Sequence, residues 1–293
     1  MLDHTWSLIG LTIVVACAAC SGPITPPPAA PRAKPKVEVQ GHRGCRGLRP
    51  ENTLAGFKEA ARLGVDVLEL DLAMSKDGVL LVVHDPQINI KLCAGGEGLA
   101  SRLFKELTWA EVQRLDCGAL KNPKYPDQKP VPGERIPRLE QVLDLLSKTG
   151  SLIANIEIKT FPDRREATRP PADFAAALVK VVRARGLQRR VVVQSFDAAA
   201  LQAVRRLAPE LTLAALADGR ADFEPMLEAS GAKILSPRYT ALTAADVKAY
   251  RGRGVRVIPW TVNRVEEMKR LMSWGVDGII TDRPDLLLGL LRR

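Results

Sequence analysis

A chain of 293 residues that is 46% apolar can bury a full core, and a single α/β barrel of about 250 residues suits that length. Its formal net charge of +10 suits anionic lipid head groups or phosphate-bearing substrates, although arginines spread over exposed helix faces account for it equally well. Only 4% of residues are aromatic and no basic run is interleaved with stacking rings, which argues against nucleic-acid binding, and no protein-partner motif is evident.

Residues 6–16 form an apolar run shorter than the roughly 20 residues of a membrane span, but long enough for the core of an export signal. Val14-Val15-Ala16-Cys17 resembles a bacterial lipoprotein processing site, where the cysteine is lipidated after cleavage. Cys20, preceded by Ala18-Ala19, is the competing site, and a plain cleaved signal peptide is the alternative. Met1 to Thr5 holds Asp3 and no Lys or Arg, so the usual positive start is missing. From Pro23 to Pro35 the chain is rich in Pro and Ala and has too few large apolar groups to pack. At ~3.1 Å per residue such a tether spans on the order of 40 Å. The expected organisation is a signal in residues 1–20, a tether in 21–36 and a folded domain in 37–293. The domain is expected to be exported to the periplasm or cell envelope and held to a membrane through an N-terminal lipid anchor.

The folded part opens with Val37 and Val39, an alternation that runs into Gln40-Gly41-His42-Arg43-Gly44 and so delivers a histidine and an arginine to a strand end. Asn52 or Thr53 caps a helix to Leu63, ended by Gly64. Residues 65–72 read as a buried strand in which Glu69 and Asp71 share one face and Leu68, Leu70 and Leu72 the other. A turn at Ser75-Lys76-Asp77-Gly78 leads to a strand at 79–83 that ends at His84-Asp85, leaving no room for a helix between the two.

Residues 87–138 form a polar insertion, with a short helix at 109–115 after Thr108 and a Pro-rich stretch at 123–137. Such a loop over a barrel mouth shapes access to the site. Cys45, Cys93 and Cys117 lie outside the export segment without any Cys-x-x-Cys pair, so zinc and thioredoxin-type sites are unsupported. In an oxidising compartment Cys93 and Cys117 are candidates for a disulfide, while Cys45 reads as a small buried filler.

Beyond the insertion, residues 139–147 read as a helix and 152–158 as a strand that places Asn155, Glu157 and Lys159 on one face. Strands at 191–195, 211–216, 234–235, 255–260 and 278–281 then alternate with helices at 198–207, 223–229, 244–251 and 265–274. That alternation implies parallel strands with helices outside. The count exceeds by one the eight strands of a closed barrel, and 234–235, the shortest, reads as a loop segment.

Polar residues cluster at the strand ends, where a parallel barrel carries its active site: His42, Arg43, Glu69, Asp71, His84, Asp85, Glu157, Lys159, Gln194, Ser195, Trp260 and Asn263. Three carboxylates on one rim need a cation or basic partners, and all-oxygen ligation by Glu69, Asp71 and Glu157 suits Ca²⁺ or Mg²⁺ rather than zinc. A salt-bridge network with Arg43 and Lys159 is the competing explanation. His42 and His84, the two histidines outside the export segment, form a candidate general acid and base, and Arg43 and Lys159 supply charge for a phosphate. These parts point to metal-assisted phosphoryl transfer.

Taken in order, His42-Arg43-Gly44 with Pro50-Glu51-Asn52-Thr53, Glu69-Leu70-Asp71, His84-Asp85, Glu157-Ile158-Lys159, Gln194-Ser195-Phe196, Trp260-Thr261-Val262-Asn263 and Gly275 to Asp282 resemble the signature of glycerophosphodiester phosphodiesterases. The resemblance implies a (β/α)8 TIM barrel of the phosphatidylinositol-phospholipase-C-like type, whose second and third strands also lack an intervening helix. It implies metal ligands at Glu69, Asp71 and Glu157, acid/base histidines at His42 and His84, and phosphate binding by Arg43 and Lys159. Glu51 is expected to anchor the first loop or to lie beside the metal, and Trp260 to line the pocket for the glycerol or head group. The implied reaction is hydrolysis of a glycerophosphodiester to sn-glycerol 3-phosphate and an alcohol. Two other readings stand beside it: a phospholipase D-like or C-like activity on lysophospholipids, and a non-catalytic barrel that binds phosphodiesters.

Overall fold

Alternation along a strand lets one segment serve two environments, and Leu68-Glu69-Leu70-Asp71-Leu72 does so here. In the computed structural model, which describes residues 1–2 and 37–292, the three leucines join an apolar shell while the two carboxylates face inward. The expected export signal with Cys17 and Cys20, Met1 and Leu2 apart, and the expected Pro-rich tether lie outside the described residues.

The strands are β1 (Glu38–Gly41), β2 (Val67–Met74), β3 (Leu80–Val82), β4 (Ile153–Ile158), β5 (Val191–Ser195), β6 (Thr212–Ala217), β7 (Ile234–Pro237), β8 (Arg256–Val257) and β9 (Gly278–Thr281). Eight of them follow the order β8-β7-β6-β5-β4-β2-β1-β9, every neighbouring pair parallel. The remaining gap, between β8 and β9, is bridged by the Asp277 N–H to the Val257 carbonyl at 2.9 Å and the Ile280 N–H to the Pro259 carbonyl at 3.0 Å. This is a nearly closed eight-stranded barrel. The surplus strand is β3, which pairs antiparallel with β2 off the barrel, Leu72 opposite Val82. Ile234–Pro237 is therefore a barrel strand and not a loop; its shortness in the sequence reflects the Ser and Pro that follow Leu235.

The α-helices are α1 (Leu54–Leu63), α2 (Trp109–Val112), α3 (Leu139–Ser147), α4 (Pro171–Ala184), α5 (Ala198–Leu207), α6 (Phe223–Ser230), α7 (Ala244–Gly252), α8 (Val265–Trp274) and α9 (Pro284–Leu291). Thr53, rather than Asn52, caps α1 by accepting the Gly56 N–H, and Gly64 closes it at φ 92°. Helix α2 stops at Val112, short of Leu115, although Thr108 caps it as expected and forms a capping box with Glu111. Helices α4 and α9, absent from the sequence reading, each begin on a proline, which is tolerated in a first helical turn.

Two kinds of interior result. The shell between strands and helices is built from residues such as Leu68, Leu70, Ile156, Phe174 and Leu201, each worth about 1.5–3 kcal/mol when fully buried. Inside the barrel, Asn155 Nδ2 donates to Gln40 Oε1 and to Gln194 Oε1, both at 2.9 Å, and Gln194 Nε2 donates to Glu69 Oε1 at 2.8 Å. Across the lumen Ala214, Ile234, Ile258 and Ile280 form a small apolar cluster. The polar groups thus lie on the β1–β5 side.

The insertion is less polar than its composition suggests. Ile88, Cys93, Leu99, Phe104, Leu115 and Ile136 bury themselves on Ala73 and Leu81 as a separate core, and Cys93 and Cys117 are joined by a disulfide. Their irregular spacing follows no helical or strand period, so the pattern hides them.

Candidate active site

Ladder register assembles the acidic groups. Between β2 and β4, Glu69 lies opposite Asn155 and Asp71 opposite Glu157. One oxygen from each of Glu69, Asp71 and Glu157 lies within 4.8 Å of the others, and all three residues are buried. Burial, with Asp71 and Glu157 nearby, holds the Glu69 carboxyl well above the usual range. Burial likewise raises Glu157, against the pull of Lys159. Burial would also raise Asp71, but Arg43, His84 and Lys159 hold it well below its ordinary value.

The loop after β1 supplies the opposing charge. A Cβ on Gly41 would sit 2.1 Å from the Gly44 carbonyl oxygen, so only glycine lets the chain fold back there. The loop then presses onto β2: the Gly44 N–H donates to the Glu69 carbonyl at 3.1 Å and the Arg43 N–H to Glu69 Oε2 at 2.8 Å. Arg43 and Asn52 both take left-handed backbone angles, φ 51° and 53°, a conformation uncommon for non-glycine residues and concentrated at functional sites. Arg43 Nε lies 3.3 Å from Asp71 Oδ2, and its Nη1 donates to Glu51 Oε1 at 2.7 Å. Glu51 therefore stands behind Arg43 and anchors the loop; it is not one of the three clustered carboxylates. Lys159 Nζ donates to Glu157 Oε1 at 2.9 Å and lies 3.6 Å from Asp71 Oδ1.

A divalent cation fits these residues. Three carboxylates face two basic groups, which leaves a local excess of negative charge. Asp71 Oδ1 is buried without a hydrogen-bond partner, and an all-oxygen donor set is the chemistry of Ca²⁺ and Mg²⁺.

Both histidines are oriented by aspartates. His42 leaves β1 where its N–H bonds the Thr281 carbonyl at 2.9 Å, so its ring meets Asp282 just past β9, Nδ1 to Oδ1 at 2.6 Å. Burial would raise Asp282, but His42 and Arg46 hold it far below the usual carboxylate range. An ionised carboxylate only accepts, so His42 donates through Nδ1 and keeps Nε2 for the cavity. Burial and Arg46 lower the His42 imidazole to about 4, outweighing the pull of Asp282. His84 Nδ1 bonds Asp85 Oδ1 at 2.8 Å, and that bond holds Asp85 down at about 2, so Nε2 is again the free nitrogen.

These groups open onto one cavity of about 410 Å³, whose walls include His42, His84, Glu157, Lys159, Lys124 and Trp260. Trp260 Nε1 donates to the Ser236 carbonyl at 2.8 Å, Phe196 meets its ring edge-on at 5.4 Å, and Arg238 stacks over it at 4.8 Å. Ser195, also at a strand end, is turned away: its hydroxyl donates to the Ile158 carbonyl at 2.7 Å. Cys45 is fully buried, its thiol pushed up to about 12 by that burial.

Four supporting residues carried no role at the site in the sequence reading. Asp282 accepts from Arg46, from Tyr125 Oη at 3.1 Å and from Asn263 Nδ2 at 2.7 Å, besides its bond to His42. Asn52 donates to Asp71 Oδ2 at 2.9 Å. Asp282 follows an apolar strand and shares the signal that found the others; Arg46, Asn52 and Tyr125 lie in irregular loops and had none.

A (β/α)8 barrel with buried acids, two oriented imidazoles and fixed cations at one rim defines a class of barrel hydrolases for anionic esters. Within that class the chain matches the glycerophosphoryl diester phosphodiesterase family over residues 42–286, and it belongs to that family. It is 35% identical over 263 residues to a glycerophosphodiester phosphodiesterase of Caldanaerobacter subterraneus subsp. tengcongensis, covering 88% of this chain and 99% of the relative. A glycerophosphodiester phosphodiesterase of Bacillus subtilis is 32% identical, over 86% of this chain and 85% of its own length. Among solved structures, a Silicibacter pomeroyi protein superposes with a TM-score of 0.81 at 33% identity, covering 87% of this chain and 93% of that one. An Oleispira antarctica phosphodiesterase, solved in complex with sn-glycerol-3-phosphate, shares the fold with a TM-score of 0.76 at 24% identity, over 87% of this chain and 97% of its own.

Proposed function

We propose that Glu69, Asp71 and Glu157 hold one divalent cation, Ca²⁺ or Mg²⁺, that His42 and His84 are the acid/base pair, and that Arg43 and Lys159 bind the phosphate. The reaction is hydrolysis of a glycerophosphodiester to sn-glycerol 3-phosphate and an alcohol, the chemistry of the family to which the chain belongs. One observation carries the reading: Glu69 and Glu157 of the carboxylate cluster, whose third member Asp71 has an Oδ1 without a hydrogen-bond partner, line the same cavity as two imidazoles whose Nδ1 atoms are tied to aspartates.

Each residue then has a task. One imidazole accepts the proton of the nucleophile, water or the neighbouring glycerol hydroxyl, and the other protonates the departing alcohol. Arg43, held by Glu51, and Lys159, held by Glu157, grip the phosphoryl oxygens. A bound divalent ion supplies neutralisation of charge on those oxygens. Trp260 and Phe196 form the wall for the glycerol or head group. Ahead of this domain, the apolar run and Val14-Val15-Ala16-Cys17 support an exported enzyme lipidated at Cys17 or Cys20 and tethered at the cell envelope.

Calorimetric titration of the protein with Ca²⁺ and with Mg²⁺ tests the metal assignment. A single ion is expected to bind the native chain and not Asp71→Asn; failure of both ions to bind contradicts it. Mass spectrometry of the mature protein from Cys17→Ser and Cys20→Ser variants identifies the modified cysteine as the one whose loss removes the lipid mass.

A further inference from the structure

His84 ends a hydrogen-bonded line that begins in the insertion. Its Nδ1 meets one oxygen of Asp85, Oδ1, at 2.8 Å; the other oxygen, Oδ2, accepts from Asn89 Nδ2 at 3.0 Å. Asp85 is therefore gripped at both oxygens, and the plane of its carboxylate sets the plane of the imidazole. Unlike Asp282, which has four side-chain partners, Asp85 has no further hydrogen-bonded side chain among the described residues.

Asn89 is fixed in turn. Its Oδ1 accepts the Lys91 N–H at 3.1 Å, and its carbonyl accepts the Leu92 and Cys93 N–H groups at 3.0 Å each. Cys93 is bound to Cys117 through the disulfide, and the next residues, Ala94 and Asp116, exchange backbone hydrogen bonds at 2.8 and 2.9 Å. On the other flank the Ile88 N–H donates to the Arg102 carbonyl at 3.0 Å, and the Ile88 side chain is buried in the insertion core. The turn that presents Asn89 is thus pinned on both sides. The same disulfide, with Asn52 and Glu51, walls a cavity of about 30 Å³, so it backs onto the residues that hold Asp71 and Arg43.

We infer that Asn89 is a positioning residue for His84, acting through Asp85, and that the Cys93–Cys117 disulfide holds Asn89 in register. The inference rests on the acid/base reading of His84 given above. A geometric role of this kind lowers turnover and leaves substrate binding alone, because a displacement of about 1 Å at a reacting group costs up to roughly 10²-fold in rate.

Asn89→Asp separates positioning from simple loop stability. It keeps the shape and the Oδ1 acceptor for Lys91 but replaces the donor that faces Asp85 with a second carboxylate oxygen. With the full chain, glycerophosphocholine as substrate and the divalent ion present, Asn89→Asp and Asn89→Ala are expected to lower kcat about tenfold with KM within about twofold. In an Asp85→Ala background the Asn89→Ala change is expected to alter kcat by less than about twofold, since the residue it works through is gone. Cys93→Ala/Cys117→Ala is expected to lower kcat in the same direction. Native turnover in Asn89→Asp, or an equal fall from Asn89→Ala with and without Asp85, overturns the inference. His84→Ala, run alongside, keeps the two ideas apart. If it retains native kcat, the acid/base reading fails; if it is inactive while Asn89→Asp is native, only the positioning role fails.

Discussion

His42 and His84 face the same cavity from two differently built supports. His42 sits one residue beyond β1, its side chain 11% exposed, and its aspartate comes from the neighbouring strand end through ladder register. His84 lies beyond an off-barrel strand, its side chain 32% exposed, and its aspartate is the next residue in the chain, steadied from a loop. The first support is inherited from the barrel; the second is made by the insertion. The two imidazoles thus rest on supports of unequal burial, and the more exposed one is the one that a disulfide backs.

Removing either ring has the largest expected effect. His42→Ala and His84→Ala should each lower kcat/KM by about 10²–10⁴-fold, the scale of a lost general acid or base. Steady-state assays check it, and a tenfold disparity in either direction would rank the two imidazoles.

Stability should divide the supports more sharply than activity does. Asp282→Asn strips the charge from a buried carboxylate that serves His42 and Arg46, a loss on the scale of about 3–5 kcal/mol. Asp85→Asn, at a side chain 34% exposed, should cost no more than about 1 kcal/mol. Urea unfolding of the two variants makes the comparison. The sign with pH follows from the depressed pKa of Asp282. Its contribution is complete above the unfolded carboxyl value of about 3.9 and is lost as acid drives the pH down through the folded value. Thermal melts should therefore show native protein losing more stability than Asp282→Asn between pH 5 and pH 3.

Cutting the disulfide removes a constraint on a loop with a sequence separation of 24, worth about 3 kcal/mol in the chain-entropy account. Hydrogen exchange should locate that loss in residues 87–117 and leave the β2 and β4 amides protected. A comparably small effect, with none on turnover, belongs to the shell. Ile156→Val, on the outer face of β4, should cost about 0.5–1.5 kcal/mol without changing kcat.

The same division governs what could be read from sequence. Period-two alternation around Glu69, Asp71, Glu157 and Lys159 gave away the inward face of β2 and β4, because a buried shell demands leucine and isoleucine at every second position. His42 follows from the same logic at a strand end, and Asp282 carried the same signal without being assigned a role. The insertion obeyed no period: its core residues are spaced by turns, and Asn89, Arg46 and Tyr125 act through loops whose shape only the folded chain reveals. Strand β3 and the short β7 were miscounted for a related reason, since a three- or four-residue strand carries too little pattern to say whether it closes a barrel or lies beside one.

The most direct test of the whole account is release of sn-glycerol 3-phosphate from glycerophosphocholine by the purified protein, first with EDTA and then with Ca²⁺ or Mg²⁺ restored. The account predicts no release in EDTA, recovery with at least one of the two ions, and no recovery in Glu157→Gln, where a clustered carboxylate is lost. Undiminished release in EDTA, or full activity in Glu157→Gln, would contradict it.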